Sequence, residues 1–111
     1  MPEVKSLTSQ EELQELLQGS HDLLLDFYAD FCPPCRQLMP ILFSLSLQEK
    51  YQDIKFIKID VSSFPKLARK YEVSSIPTLI LISKDSAKPI EKRVGFMNID
   101  ELSSLLDSYF F

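Results

Sequence analysis

The sequence predicts an α/β domain in which a central mixed β-sheet carries helices on both faces. Three observations lead there. Residues 22–28, Asp-Leu-Leu-Leu-Asp-Phe-Tyr, are too apolar for a half-exposed strand and read as a strand covered on both sides. The next strands alternate with helical patterns, and strand–helix–strand units give parallel pairing. Late in the chain, Lys84-Asp85-Ser86-Ala87-Lys88-Pro89 is a polar turn between two strand-like runs, which gives an antiparallel hairpin.

The elements follow in order. Residues 4–7 read as a short first strand. Ser9-Gln10-Glu11-Glu12 has the spacing of a capping box, with Leu13, Leu16 and Leu17 on one face, so a helix runs from there to near Gly19. His21 falls in the loop before the 22–28 strand. Residues from about 34 to 51 form the longest helical pattern. Pro40 lies inside it, and its missing N–H and ring clash predict a kink. Residues 55–60 are the next strand, and 64–71 a short helix with Leu67 and Tyr71 at helical spacing. Residues 78–83 and 90–94 are the two strands of the hairpin. Asn98-Ile99-Asp100-Glu101 is a second capping box, opening a last helix with Ile99, Leu102, Leu105 and Leu106. Tyr109-Phe110-Phe111 reads as an apolar ending that caps the core.

The 111 residues fit one domain spanning 1–111, with no repeat or linker. At 45% hydrophobic and 25% charged residues the chain is globular rather than disordered. Twelve Lys and Arg against sixteen Asp and Glu give a net charge of -4 without a basic run, which argues against a nucleic-acid partner. The apolar runs are too short to span a bilayer, so no membrane partner is expected. Met1-Pro2-Glu3-Val4-Lys5 lacks the basic start and apolar run of a secretory signal, which makes a reducing cytoplasmic compartment the expectation. Two cysteines are too few for a disulfide scaffold.

Those two cysteines carry the chemistry. Cys32-Pro33-Pro34-Cys35 stands between a strand and a helix, so the first sulfur sits at a helix N-terminus. Free amides and the helix dipole stabilise a thiolate there. A free thiol with pKa about 8.5 is only a few per cent ionised near neutrality, and lowering that value by one unit takes about 1.4 kcal/mol. A helix N-terminus supplies roughly 0.3–1 kcal/mol, and up to about 2 when partly buried. Cys32 is therefore the attacking sulfur, and Cys35, one turn into the helix, resolves the mixed disulfide. Neither Pro33 nor Pro34 has an N–H, which leaves the Cys35 amide as the nearest donor to Cys32. A tetrahedral zinc site needs four ligands and His21 is the only histidine, so no metal is expected. Asp26, alone among leucines, reads as a buried acid with a raised pKa that can accept a proton from Cys35.

The chain resembles the thioredoxin family over nearly its whole length. The motifs are Asp26-Phe27-Tyr28-Ala29, Phe31-Cys32-Pro33-Pro34-Cys35-Arg36, Pro40, Lys58 with Asp60, Ile76-Pro77-Thr78 and Val94-Gly95. The resemblance implies the thioredoxin fold and a reductase of protein disulfides. It also implies recharging by an NADPH-dependent thioredoxin reductase, no bound cofactor, and work as a monomer in the cytoplasm. The family usually has Trp where this chain has Phe31, and Gly-Pro where it has Pro33-Pro34. The last hairpin is slightly longer and contains no Gly. The Cys-Pro-Pro-Cys-Arg string also resembles tryparedoxins and nucleoredoxins, which are longer chains or domains.

Site roles follow from the resemblance. Asp26 is the acid that takes the Cys35 proton, and Lys58 on the neighbouring strand moderates it. Pro77 is a cis-proline facing the dithiol, where it blocks metal capture. The Ile76 backbone pairs with an extended substrate segment, as a strand adds to a sheet edge. Phe31, Pro33, Pro34, Ser75, Ile76, Gly95 and Phe96 surround the exposed sulfur and receive the substrate. Two other readings stay open at this point. One is an oxidase or isomerase of an oxidising compartment; the other is a non-catalytic adaptor of the same fold.

Overall fold

The computed structural model describes residues 4–111; Met1, Pro2 and Glu3, on which the reading of the N-terminus partly rests, lie outside the described residues. The strands are β1 (Val4–Ser6), β2 (Asp22–Tyr28), β3 (Ile54–Asp60), β4 (Thr78–Ile82) and β5 (Pro89–Val94). The helices are α1 (Gln10–Leu17), α2 (Pro33–Ser46), α3 (Pro65–Lys70) and α4 (Ile99–Phe110). The five strands form one sheet in the order β1-β3-β2-β4-β5. β1 and β2 run parallel to β3, while β4 runs antiparallel to both β2 and β5. The expected mixed sheet is present: helical crossovers produce its parallel half, and the 84–89 turn produces its hairpin.

The even-numbered residues of β2 face α2 and α4. Leu24 packs there with Phe56, Leu79 and Leu81 against Leu38, Leu42 and Leu102. The odd-numbered residues, Leu23, Leu25 and Phe27, pack with Ile57 and Ile80 against Leu13 of α1 and Leu67 of α3. Strand alternation thus divides one apolar run between two helix layers. Asp26 is the exception in the first layer.

Caps explain where the helices begin. Ser9 accepts from the Glu12 amide at 3.1 Å, but the Glu12 carboxylate reaches past it to the Thr8 amide at 2.8 Å. The α4 box is complete, with Asn98 and Glu101 each bonding the other's backbone amide at 2.9 Å. The long helix expected to reach residue 51 instead ends at Ser46, and a 3-10 turn at Glu49–Tyr51 follows. Tyr51 is fully buried and bonds Asp107 and Ser103 of α4, so the chain bends to deliver this ring to the core. The C-terminal aromatics divide. Phe110 packs on the core, whereas Tyr109 is exposed and bonds Glu91, and Phe111 is 70% exposed beside the Tyr51 ring.

Candidate active site

The site is built where β2 runs into α2. Cys32 is the N-cap of α2, with extended backbone, and Pro33 and Pro34 fill the first helical positions. Proline suits these positions because their N–H groups would have no helical partner. The Cys35 amide donates to the Cys32 sulfur at 3.3 Å, as expected once both prolines are removed as donors. Cys32 and Cys35 are joined in a disulfide across a Cα–Cα distance of 5.2 Å. Cys32 is 6% and Cys35 2% exposed, so in the disulfide form the residue expected to be exposed is buried, though less completely than its partner. The preceding loop is tied down by the Arg36 side chain, which donates to the Asp30 carbonyl at 2.7 Å.

Asp26 lies on β2, two residues before Tyr28, which packs on the cysteine cluster. Asp26 is fully buried, and neither carboxylate oxygen has a hydrogen-bond partner among the described residues. Burial pushes its pKa from 3.8 up to about 7, and the Lys58 charge pulls the other way. Lys58 stands opposite Asp26 in the β2–β3 register, half-buried and without a hydrogen bond to it. The expected neighbourhood is present, and the coupling is through space alone.

The Ile76–Pro77 peptide bond is cis. Pro77 is buried, and Ile76 packs on the cluster formed by Ala29, Cys32 and Cys35. The Gly95 amide donates to the Pro77 carbonyl at 2.8 Å, which brings the end of β5 to this loop. Gly95 has φ +100, and a Cβ there would meet nothing within 4 Å. Backbone conformation, rather than crowding within the chain, therefore demands glycine. Phe31 is 75% and Phe96 44% exposed, so both rings lie on the surface, as a rim around the sulfur requires. Pro33, Pro34 and Ser75 are exposed as well. Ser75 also accepts the Thr78 hydroxyl at 2.6 Å through its carbonyl.

Sequence reasoning assigned no role to Tyr28, Val61 or Val73. Tyr28 and Val61 pack on the cysteine cluster, and the Val61 amide donates to the Tyr28 carbonyl at 2.9 Å. Val61, Val73, Ser74, Ser75 and Ile76 line a pocket of about 190 Å³. The signal for Tyr28 was its parity: two residues beyond Asp26, it lies on the same face of the strand. Val61 and Val73 come from loops, where periodicity gives no direction. No three His, Cys, Asp or Glu side chains among the described residues are grouped to hold a metal ion, and no described helix is long and apolar enough to cross a membrane.

The arrangement supplies a sulfur pair at a helix N-terminus, a buried carboxyl with a raised pKa and an exposed apolar rim. Comparison with known proteins places nearly the whole chain in a family. The thioredoxin family model matches residues 3–108. The chain is 37% identical to the thioredoxin of Mycoplasmoides gallisepticum, over 93% of this chain and 99% of that protein. It is 44% identical to the thioredoxin of Staphylococcus aureus, over 78% and 80% respectively. The solved structure of a mutant thioredoxin from Halobacterium salinarum superposes with a TM-score of 0.87 at 35% identity, covering 98% of this chain and 92% of that one.

Proposed function

The chain belongs to the thioredoxin family and is a thiol–disulfide oxidoreductase, and from that premise we propose that it reduces protein disulfides, with Cys32 attacking and Cys35 resolving. The observation that carries the assignment of roles is the Cys32 sulfur at the α2 N-terminus, accepting from the Cys35 amide. The same donor stabilises a Cys32 thiolate in the reduced protein.

The Cys32 thiolate attacks one sulfur of a substrate disulfide. A mixed disulfide forms and the first substrate thiolate leaves. Cys35 then gives its proton to Asp26, which is about half ionised near pH 7. The Cys35 thiolate attacks the Cys32 sulfur, and the second substrate thiolate leaves and takes up a proton. Two electrons have moved to the substrate, and this chain is left as the disulfide. No bound cofactor enters these steps. Lys58 limits the rise in the Asp26 pKa and so keeps part of its population ionised.

Phe31, Pro33, Pro34, Ser75, Ile76, Gly95 and Phe96 form the substrate surface, with Pro77 buried beneath it. The exposure of the rim, the contact of Ile76 with the cysteines and the Gly95–Pro77 hydrogen bond support this reading. Residues 1–111 are read as one domain, a monomer in the cytoplasm, recharged by an NADPH-dependent thioredoxin reductase. Equilibration against thiol–disulfide buffers with alkylation of free thiols tests the direction of transfer. A potential of about -270 mV or lower is expected. A value of about -180 to -120 mV would instead assign an oxidase or isomerase.

A further inference from the structure

Parallel partners project to the same face of a sheet, so the pairings Asp26 with Lys58 and Tyr28 with Asp60 gather four polar side chains beneath the start of α2. Within this group the Lys58 ammonium lies over the Tyr28 ring, 5.3 Å from its centroid. That is inside the range of about 6 Å over which a cation is attracted to an aromatic face. Lys58 makes no ion pair among the described residues, and Asp26 has no hydrogen-bond partner there. The ring is therefore the contact that fixes where this ammonium sits.

We propose that Tyr28 is a positioning residue for disulfide exchange: its ring seats the Lys58 ammonium where the charge acts on buried Asp26 without closing into a salt bridge. A lysine stem is long and flexible, and its strongly hydrated head returns to water unless something holds it. Burial and the carboxylates of Asp60, Asp30 and Asp26 all hold the proton on the Tyr28 hydroxyl, so the ring stays neutral. The charge that acts on Asp26 is that of Lys58 from β3; Asp60 and Asp30 act on the Tyr28 hydroxyl, and Tyr28 packs on the Cys32–Cys35 pair at the start of α2. β4 and α4 bring apolar side chains, Leu79 and Leu102 among them. Lys58 is the one cation in that set.

The consequence for catalysis rests on Asp26 being the proton acceptor for Cys35, but the first readout does not. The carbon-13 shift of the Asp26 carboxyl is followed against pH in the oxidised protein, where no thiol titrates. Tyr28→Phe keeps the ring and should leave the midpoint in place. Tyr28→Leu and Lys58→Met should each raise it by roughly half a pH unit. The double variant should match Lys58→Met alone. An unchanged or lowered midpoint in Tyr28→Leu overturns the proposal. So does a full further rise when Tyr28→Leu is added to Lys58→Met, because the ring would then act without the lysine. Should Tyr28→Leu fail to fold, Tyr28→Met serves as the ringless variant.

The second readout is resolution of a mixed disulfide in the reduced protein. Tyr28→Leu should slow it about threefold below the Asp26 midpoint and change it little well above. Equal slowing at every pH would mark a merely structural role and overturn the proposal. Undiminished resolution in Asp26→Asn would instead remove Asp26 from the proton transfer, leaving the carboxyl titration to stand or fall separately.

Discussion

A carboxyl at the centre of an apolar strand costs most when it is charged, and at Asp26 that cost appears as proton affinity. Burial raises its pKa from 3.8 to about 7. Between these values the folded chain holds a proton that the unfolded chain has released, so stability falls as pH rises across that window and levels off above it. The difference corresponds to about 4 kcal/mol. Asp26→Asn should therefore leave stability nearly unchanged near pH 4 and raise it at pH 8 by up to about 4 kcal/mol. Urea unfolding at pH 4, 6 and 8 measures this, and a parallel pH dependence in wild type and variant would show that Asp26 is not the source. The same substitution should slow resolution by Cys35, since the acceptor is gone. Leu23, Leu24 and Leu25 made the burial of Asp26 legible in the sequence. The seat of Lys58 on Tyr28 was not, because a side chain's direction depends on pairing register, which no local pattern reveals.

Elements were legible where a local signal and the packing agreed. The β2 run, both capping boxes and the late hairpin gave their elements in the right order, because each carries a start, a stop or a period of its own. The α2 boundary was missed where packing decided it. Residues 47–51 keep a helical pattern, yet the buried hydroxyl of Tyr51 must reach Asp107 and Ser103, which ends the helix early. The end of α3 shows another tertiary choice. The Val73 amide donates to the Ala68 carbonyl at 2.8 Å and the Glu72 amide to the Arg69 carbonyl at 3.0 Å, the paired bonds of a Schellman ending. Glu72 takes φ 55 to make this turn, a position at which glycine is the usual residue. Left-handed backbone costs a residue with a Cβ roughly 1–2 kcal/mol, partly offset by the greater freedom of unfolded glycine. Glu72→Gly should thus stabilise the protein by several tenths to about 1 kcal/mol, read as a higher urea midpoint with an unchanged slope. A lower midpoint would show that the glutamate side chain contributes more than its backbone strain removes.

At the scale of the whole molecule, direction of electron transfer and stability are two faces of one cycle. The fold shifts the Cys32–Cys35 potential away from that of the unfolded chain by as much as it favours one redox state over the other. For this two-electron couple, each 30 mV corresponds to about 1.4 kcal/mol. A reductant needs a fold that prefers its own disulfide; a fold that prefers the dithiol makes an oxidant. Burial lies on the oxidised side of that balance: Cys35 is almost fully buried against Ala29 and Ile76, which disfavours its thiolate. A Cys32 thiolate gains from the α2 N-terminus, but it has one amide donor from the first turn, where a chain with glycine at position 33 would offer a second. The oxidised protein should therefore unfold at higher urea than the reduced protein, both measured at pH 7 with the reduced sample kept under excess dithiol. The gap should equal about 1.4 kcal/mol for every 30 mV by which the folded pair lies below the same pair in the urea-unfolded chain. A reduced form more stable than the oxidised one would reverse the assignment, since such a fold gains by taking electrons and would pass disulfides on rather than remove them.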